Sequence, residues 1–470
     1  MSHLIPLYTN RMVNRVIFNR YASTFKSSAS LKGATFDMKS IIQDREKYQD
    51  SLIRRQVPEK MKDLDFISEN RQRQIDVVKA VNALRHERSR LGEIMKQMKQ
   101  NAPEDVKVQL KKAKQELQKL EKEEEEISRE MHRCAEGLPN LLDDSVPADP
   151  FQEEVVEFIN CSSEKDAEQK TKNLKYGHKD IGEKLNIMDF STASKVSGTS
   201  WYYLIGDGAL LEQALIQYGL SKARQKGYSM LSPPTIVRRE IIDACGFKPK
   251  DQNDEKQIYG LEDEDLSLIG TAEIPLGAYH SNTVFPASQE FPIKYAGCSR
   301  AYRAEAGARG ADTKGLYRVH EFTKVELFHF AKPEDSRREL DAIKDLQIEI
   351  IKELGITAKM INMPTSDLGA PAMKKYDCEA WMPGRGKWGE LTSCSNCGDY
   401  QARRLGIKYI DPLQNNKQKY MHTLNGTCIA VPRVIVAILE QNYDPDTNTV
   451  NIPSPLQKFM DGKDKISMNK

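Results

Sequence analysis

The feature that most constrains this chain is a heptad rhythm through a highly charged stretch from about Asn70 to Glu136. Val77, Val81, Leu84, Leu91, Met95 and Met98 recur in steps of four and three, with Arg88 at one seam position. After Asn101-Ala102-Pro103 the rhythm restarts through Val106, Leu110, Ala113, Leu117, Leu120, Ile127, Met131 and Cys134, with Glu124 on the seam. An apolar residue every 3.5 positions on average can bury one stripe against a partner helix and little else. Two helices of about 30 residues joined by a short Pro-containing turn predict an antiparallel two-helix coiled coil, each arm about 45–50 Å long. Such a hairpin has little core of its own and has to project from a body.

Overall charge says nothing about partners, because 70 Lys and Arg stand against 68 Asp and Glu. The distribution is informative. Between residues 85 and 119, Arg85, Arg88, Arg90, Lys96, Lys99, Lys107, Lys111, Lys112, Lys114 and Lys119 stand against five carboxylates. The base of the second helix is acidic instead, at Glu121 and Glu123 to Glu126. A basic distal half on a neutral protein is the electrostatic footprint of a phosphate backbone. A solvated coiled-coil surface or an oligomerisation arm would have the same composition.

Residues 1–36 contain no Asp or Glu, but carry Arg11, Arg15, Arg20, Lys26, Lys32 and many Ser and Thr. At helical spacing Val13, Val16 and Ile17 lie opposite Arg11 and Arg15, although Arg20 falls on the apolar side. An Arg-rich, Ser-rich, acid-free amphipathic start reads as a mitochondrial transit peptide, with a disordered basic tail as the alternative. The eight cysteines are sparse and unevenly spaced, which argues against a secreted disulfide scaffold. No stretch of about 18 uncharged apolar residues is present, so no transmembrane span is expected.

Gly137-Leu138-Pro139-Asn140 and the run from Asp143 to Pro150 end the arm in a turn-rich linker. Beyond it, residues 166–470 alternate helical and strand-like segments, among them an amphipathic helix from Leu210 to Lys226 and a short strand before Ser232-Pro233-Pro234. Neither a P-loop nor a Rossmann glycine signature occurs, so a nucleotide would have to be held another way. Gly315 to Phe330 reads as one long strand. With period two, Tyr317, Val319, Thr323, Val325 and Leu327 share an apolar face, while Arg318, His320, Phe322, Lys324 and Glu326 share the other. A guanidinium, a ring and a carboxylate in line could hold phosphate, base and ammonium; an exposed strand face with salt bridges reads the same way. The helix from Val434 to Glu440 is apolar on every side, hence buried. Arg433 at its start, after Pro432, needs an anionic partner, either a carboxylate or a ligand phosphate.

These segments resemble the three motifs of the class II aminoacyl-tRNA synthetases: Gly227 to Pro234 the dimer-interface first motif, Tyr302 to Phe328 the second, Asn425 to Glu440 the third. The wording of Thr271-Ala272-Glu273, Arg303-Ala304-Glu305-Ala306-Gly307, Glu390-Leu391-Thr392-Ser393-Cys394-Ser395-Asn396-Cys397 and Tyr400-Gln401-Ala402-Arg403-Arg404 is similar to the seryl-tRNA synthetase family, as is an N-terminal coiled-coil arm. Thr392 stands where that family commonly has Ser, and Gly398 where a Thr or similar residue is usual.

The resemblance covers about residues 37–460, and the leader makes it similar to mitochondrial members. It implies an α+β fold, with a helical arm ahead of a class II antiparallel-sheet catalytic domain flanked by helices. The implied division is a transit peptide over 1–36, a helical tRNA-binding domain over 37–137, a linker over 138–165 and a catalytic domain over 166–470. It further implies a homodimer in the mitochondrial matrix, free of the membrane, that uses ATP, Mg²⁺ and L-serine to charge tRNA(Ser).

By resemblance, Arg303, Glu390 and Arg433 are catalytic. Arg303 meets the α-phosphate, and Arg318 and Arg433 the distal phosphates. Phe322 stacks the adenine beside Val319 and Glu305. Ala304, Leu391 and Thr392 complete the ATP site, and Glu390 and Ser393 hold Mg²⁺. Thr271, Ala272, Glu273, Arg303, Glu326 and Thr427 form the serine site, with Thr271 and Glu326 at the ammonium and Thr427 beside the hydroxyl. Arg85, Arg88, Arg90, Lys96, Lys99, Lys107, Lys111, Lys112 and Lys114 are the tRNA-binding candidates. Cys394 and Cys397 lack a second ligand pair at zinc spacing, His422 being the only downstream His, so no zinc is expected. A synthetase-like paralogue that binds RNA or partners without catalysis is the alternative; such a chain would be expected to lose Arg303, Glu326, Glu390 or Arg433, and all four stand here.

Overall fold

The computed structural model describes residues 31, 34–98, 103–247, 257–305 and 315–468. Nearly all of the leader lies outside these residues, as do Lys99, the turn residues Asn101 and Ala102, and Ala306 and Gly307.

The heptad stretch forms two long helices, α3 (Met61–Met98) and α4 (Glu104–Gly137), after two short ones, α1 (Met38–Gln43) and α2 (Arg45–Arg54). Val77, Val81 and Leu91 bury against a seam of Ala113, Leu117, Ile127, Met131 and Cys134. Toward the turn the seam opens, and Met98 is 47% exposed. Helix α3 starts at Met61, ahead of the heptads, because the fully buried Leu64 and Ile67 pack with Ile41 and Leu52 into a small base. Arg73–Glu123 at 2.7 Å and Arg85–Glu121 at 2.9 Å tie the two helices together along their flanks.

The body is an eight-stranded sheet whose strands are β1 (Glu154–Ile159), β2 (Ser229–Leu231), β3 (Ile293–Tyr302), β4 (Glu321–Ala331), β5 (Ala358–Asn362), β6 (Lys374–Met382), β7 (Lys387–Asn396) and β8 (His422–Ala430). Their order across the sheet is β1-β5-β6-β7-β8-β4-β3-β2, and every neighbouring pair is antiparallel except the edge pair β2–β3. The stretch read as linker therefore ends earlier than residue 165: Val155, Val156 and Ile159 give 154–159 a β-forming sequence, and it pairs with β5.

One face of the sheet is buried under α5 (Asp207–Gln225), α6 (Ser336–Glu353) and α7 (Val431–Asn442), whose Leu211, Ile343 and Val434 join Val325, Leu327 and Cys378 in the main core. On the opposite face Phe328 and Phe330 pack against Ile274 and Leu405 in a second cluster. At its other end the same face buries Ile361 of β5 with Val146 and Leu368, and between the two clusters it is open.

The long strand expected from Gly315 begins only at Glu321. Upstream of it, Leu316 N donates to His178 Nε2 at 3.0 Å and His320 N to Ser200 O at 3.2 Å, so these backbone donors turn away from a ladder. His178 in turn bonds Glu440 of α7 through Nδ1 at 2.7 Å. Gly315 is required at this bend: its φ is +110°, and a Cβ there would lie 2.2 Å from His178 Nε2.

Candidate active site

Strands β7 and β8 pair only over Cys394–Asn396 and Leu424–Gly426, and then part. Just beyond, both strands carry an extra residue, Leu391 in β7 and Cys428 in β8. Gln347 of α6 fills the gap from below, donating to Ser393 O at 2.8 Å and Thr427 O at 2.9 Å. The cavity sits on the open face above this split. The bulge at Leu391 decides which side chains reach it: Glu390 pairs with Glu379 and Ser393 with Asp377, so Glu390 and Ser393 share a face although they are three residues apart.

The cavity has two lobes that share Arg303, Lys324, Ser393 and Thr427. Glu305, Tyr317, Arg318, Val319, Phe322, Glu390, Leu391 and Arg433 line the first. Arg303, just past the end of β3, lies 5.1 Å over the Phe322 ring, and Arg433 lies 4.8 Å over Tyr317. Arg433 bonds both the backbone oxygen of Glu390, at 3.1 Å, and its carboxylate, at 3.2 Å. Pro432 lies in the first turn of α7, so the positive end of that helix and the Arg433 guanidinium meet at the cavity. Arg318 pairs with Glu305 at 3.6 Å.

Burial alone would raise the Glu390 carboxyl, but Arg433, Lys375 and Arg303 outweigh it and hold the group well below the usual carboxylate range. Arg303 is pulled down by burial and by the like charge of Arg433. The lobe is therefore a desolvated, cation-rich site that favours an anion. An ionised carboxylate and a hydroxyl on one sheet face are hard oxygen donors, so Glu390 and Ser393 fit a Mg²⁺ ion.

Thr271, Glu273, Glu326, Ser395 and Asn425 line the second lobe, with Cys397 and residues 367–372. Glu326 and Thr427 are direct partners across β4 and β8. Glu326 accepts from Thr271 Oγ1 at 3.3 Å and from Lys324 Nζ at 2.5 Å, and Lys324 also reaches Thr427 Oγ1 at 3.4 Å. Burial pushes the Glu326 carboxyl up, while Lys324, Thr271 and Arg303 hold it back. Glu273 accepts from Gln401 at 2.7 Å and from Asn425 at 2.9 Å. Complete burial and the nearby Glu326 push its carboxyl up to about 7, against the hydrogen bond from Gln401.

Most of the residues expected at the site come together here, and three do not line it. Thr392 faces the core, because the Leu391 bulge turns it to the side of Cys378 and Cys394. Ala304 spends its N–H on Gln257 O at 3.0 Å, and Ala272 is buried in the second apolar cluster. Arg318 arrives on the bent segment before β4, not on the strand, which is why Tyr317 and Val319 line the same lobe with it. Cys394 is in the core and Cys397 in the wall of the second lobe.

Residues without an expected role also shape the site. Lys324 shares strand parity with Phe322 and Glu326, a signal present in the sequence. Gln347, Gln401 and Asn425 act across the sheet, where sequence spacing has no reach.

On the arm, Arg88, Lys96, Lys111, Lys112 and Lys114 are exposed and have no carboxylate partner among the described residues, whereas Arg85, Arg90 and Lys107 are paired with Glu121, Glu87 and Glu104.

Two family models match the chain: a seryl-tRNA synthetase N-terminal domain over residues 36–142, and a tRNA synthetase class II core domain (G, H, P, S and T) over 259–442. The mitochondrial serine–tRNA ligase of Saccharomyces cerevisiae is 46% identical, over 95% of this chain and 99% of its own length. The serine–tRNA ligase of Dictyoglomus turgidum is 37% identical over 90% and 97%. Among solved structures, seryl-tRNA synthetase from Pyrococcus horikoshii complexed with ATP superposes with a TM-score of 0.84 at 35% identity, covering 93% of this chain and all of that one. The cytoplasmic serine–tRNA ligase from Naegleria fowleri in complex with AMP gives 0.77 at 26% with the same coverage. With matches that run through both the arm and the sheet, the chain belongs to the seryl-tRNA synthetase family of class II aminoacyl-tRNA synthetases.

Proposed function

We propose that this chain activates L-serine with ATP and transfers the seryl group to the terminal ribose of tRNA(Ser) in the mitochondrial matrix, working as a homodimer. The observation that carries the reading is the single cavity with an anion-favouring lobe and a carboxylate-lined lobe that meet at Arg303. In the first step the serine carboxylate attacks the α-phosphate, a phosphorus–oxygen bond forms, and pyrophosphate leaves. In the second a ribose hydroxyl attacks the seryl carbonyl and AMP leaves. Neither step needs a covalent enzyme intermediate, so catalysis rests on positioning and on stabilising charge where it develops.

Phe322 offers its ring to the adenine beside Val319 and Glu305. Arg303 stands at the α-phosphate, where its guanidinium meets the growing negative charge. Arg318 and Arg433 take the distal phosphates, which replace the carboxylates they now face. Glu390 and Ser393 would hold Mg²⁺, which when bound supplies further charge neutralisation on phosphate oxygens. In the second lobe the serine ammonium takes over the contact that Lys324 makes with Glu326, beside Thr271. Thr427 faces the hydroxyl, and a site that hydrogen-bonds a hydroxyl rejects analogues lacking it.

The arm supports tRNA binding through its unpaired distal cations. The acid-free leader and the likeness to a mitochondrial ligase support the matrix assignment. Strand β2 is a sheet edge with Met230 partly exposed, and an edge of that kind favours coverage by a second copy.

ATP–pyrophosphate exchange with a panel of amino acids tests the activity. Exchange stimulated by serine above alanine, glycine and threonine is expected; stimulation by another amino acid, or by none, overturns the reading. A reporter fused to residues 1–36 tests localisation, and sedimentation of the purified chain tests the dimer.

A further inference from the structure

Residues 367–372 form one wall of the serine lobe. Residues 368–372 run between β5 and β6, and each of their five consecutive carbonyls accepts from one of two residues, Arg55 of the N-terminal domain or Asn140 of the connection that follows it. Arg55, directly after α2, donates from Nη1 to Leu368 O at 3.5 Å and Gly369 O at 3.3 Å, and from Nη2 to Ala372 O at 2.5 Å. Asn140, just past the end of α4, takes the two between them: its backbone N–H donates to Ala370 O at 2.8 Å and its Nδ2 to Pro371 O at 2.8 Å. The same Nδ2 donates to Cys397 O at 2.7 Å, a second wall residue of the lobe.

The arrangement is costly to build, which is why it calls for a function. Arg55 is 8% exposed, its Nε has no hydrogen-bond partner, and it has no carboxylate partner among the described residues. A buried guanidinium balanced only by carbonyl dipoles gives up solvation without gaining an ion pair. What it gains is geometry, because a planar fork can fix several carbonyls at once. On the cavity side the wall packs tightly: a Cβ at Gly246, whose φ is +85°, would lie 2.3 Å from Pro371 Cγ.

We propose that Arg55 and Asn140 are positioning residues for amino-acid binding: by holding the carbonyls of 368–372, the domain that carries the arm sets one wall of the serine lobe. This rests on the reading of that lobe as the serine site. A pocket for so small a substrate tolerates little displacement of its walls, since misplacement by about 1 Å is enough to cost a reaction heavily. The nucleotide lobe does not include 368–372, so it is not affected in the same way.

The test uses Arg55→Gln, Arg55→Lys and Asn140→Ala in the full chain. In the exchange assay the serine KM should rise about 10-fold or more in Arg55→Gln and Asn140→Ala, with the ATP KM within about 2-fold of wild type. Arg55→Lys should recover only part of the loss, because a point charge cannot reach all three carbonyls. An unchanged serine KM, or equal rises for serine and ATP, overturns the proposal. Hydrogen exchange over residues 365–373 reads the clamp without catalysis. Faster exchange in both the Gln and the Ala variant is expected, and unchanged exchange overturns the clamp itself. A wild-type chain with no serine-stimulated exchange would overturn the functional reading, and the amino-acid role with it, while the hydrogen-exchange result would still decide whether Arg55 and Asn140 hold the wall.

Discussion

The tip of the arm and the two-lobed cavity are both rich in Lys and Arg, yet the charges work under opposite conditions. On the arm, Arg88, Lys96, Lys111, Lys112 and Lys114 stand in water, where an attraction is worth little per contact and is screened within about 8–10 Å at ordinary salt. Only their number can hold a polyanion. In the cavity, Arg303 and Arg433 are largely withdrawn from solvent and already oriented by Phe322, Tyr317 and Glu390. There a single group carries a large effect, and salt has little access to it. The arm is additive and salt-sensitive; the cavity is preorganised and intolerant of loss.

That contrast can be broken most sharply at Arg433. Arg433→Ala strips a charge from the anion-favouring lobe and leaves Glu390 without its guanidinium, so exchange should fall about 10²–10³-fold, as for loss of a preorganised oxyanion partner. A loss below about 10-fold would mean that the lobe is less preorganised than its geometry says.

Next comes removal of residues 85–119, which cuts the arm just above the partly buried Leu84 and Leu120. Aminoacylation should fall about 100-fold, with serine-dependent exchange within about 2-fold, because the base of the arm with Arg55 and Asn140 stays in place. If exchange collapses too, the distal arm supports the catalytic body and the two regions are not separable.

Glu326→Gln keeps shape and removes charge, so a charge-assisted contact of about 1.5–3 kcal/mol is lost. The serine KM should rise by one to two orders of magnitude on that figure, with the ATP KM nearly unchanged. Equal rises for both substrates would show that Glu326 organises the whole cavity.

Burial in the cavity also has a pH signature. The Glu273 carboxyl titrates at about 7 in the folded chain, above its ordinary 4.5, so the folded state holds the proton more tightly than the unfolded state does. Stability should therefore fall as pH rises from about 4.5 through 7, by about 3 kcal/mol, and Glu273→Gln should flatten that decline. Denaturant midpoints at pH 5 and pH 8 decide it; an undiminished decline in the variant would assign it to other groups.

The smallest effect belongs to a single arm cation. Lys112→Ala should weaken tRNA binding only a few-fold and reduce the slope of log affinity against log salt by about one. An unchanged slope would place Lys112 off the phosphate path.

Much of this contrast is legible in the sequence, and unevenly so. Heptads announce α3 and α4 because a coiled coil is specified by residues close along the chain. The alternation of Thr323, Val325 and Leu327 with Phe322, Lys324 and Glu326 places the core face and the cavity face of β4 correctly from Glu321 onward. It fails before Glu321, where His178, distant in sequence, bends the chain and brings Tyr317, Arg318 and Val319 to one lobe. Around Glu390 the parity of a regular strand would put Ser393 on the wrong face; the bulge at Leu391 reverses it and sends Thr392 into the core instead.

By itself, then, the sequence determined the elements whose physics is local: the seam of the arm, the charge of its tip and the buried helix α7. Tertiary structure decided what depends on groups far apart in the chain. It parted β7 from β8, let Gln347 brace the gap, placed Lys324 between Glu326 and Thr427, and closed one wall of the second lobe with Arg55 and Asn140. The reason is common to all four. Periodicity reports which side of an element faces inward, but a bulge, a bridging amide or a guanidinium on a carbonyl exists only once distant strands and helices have packed.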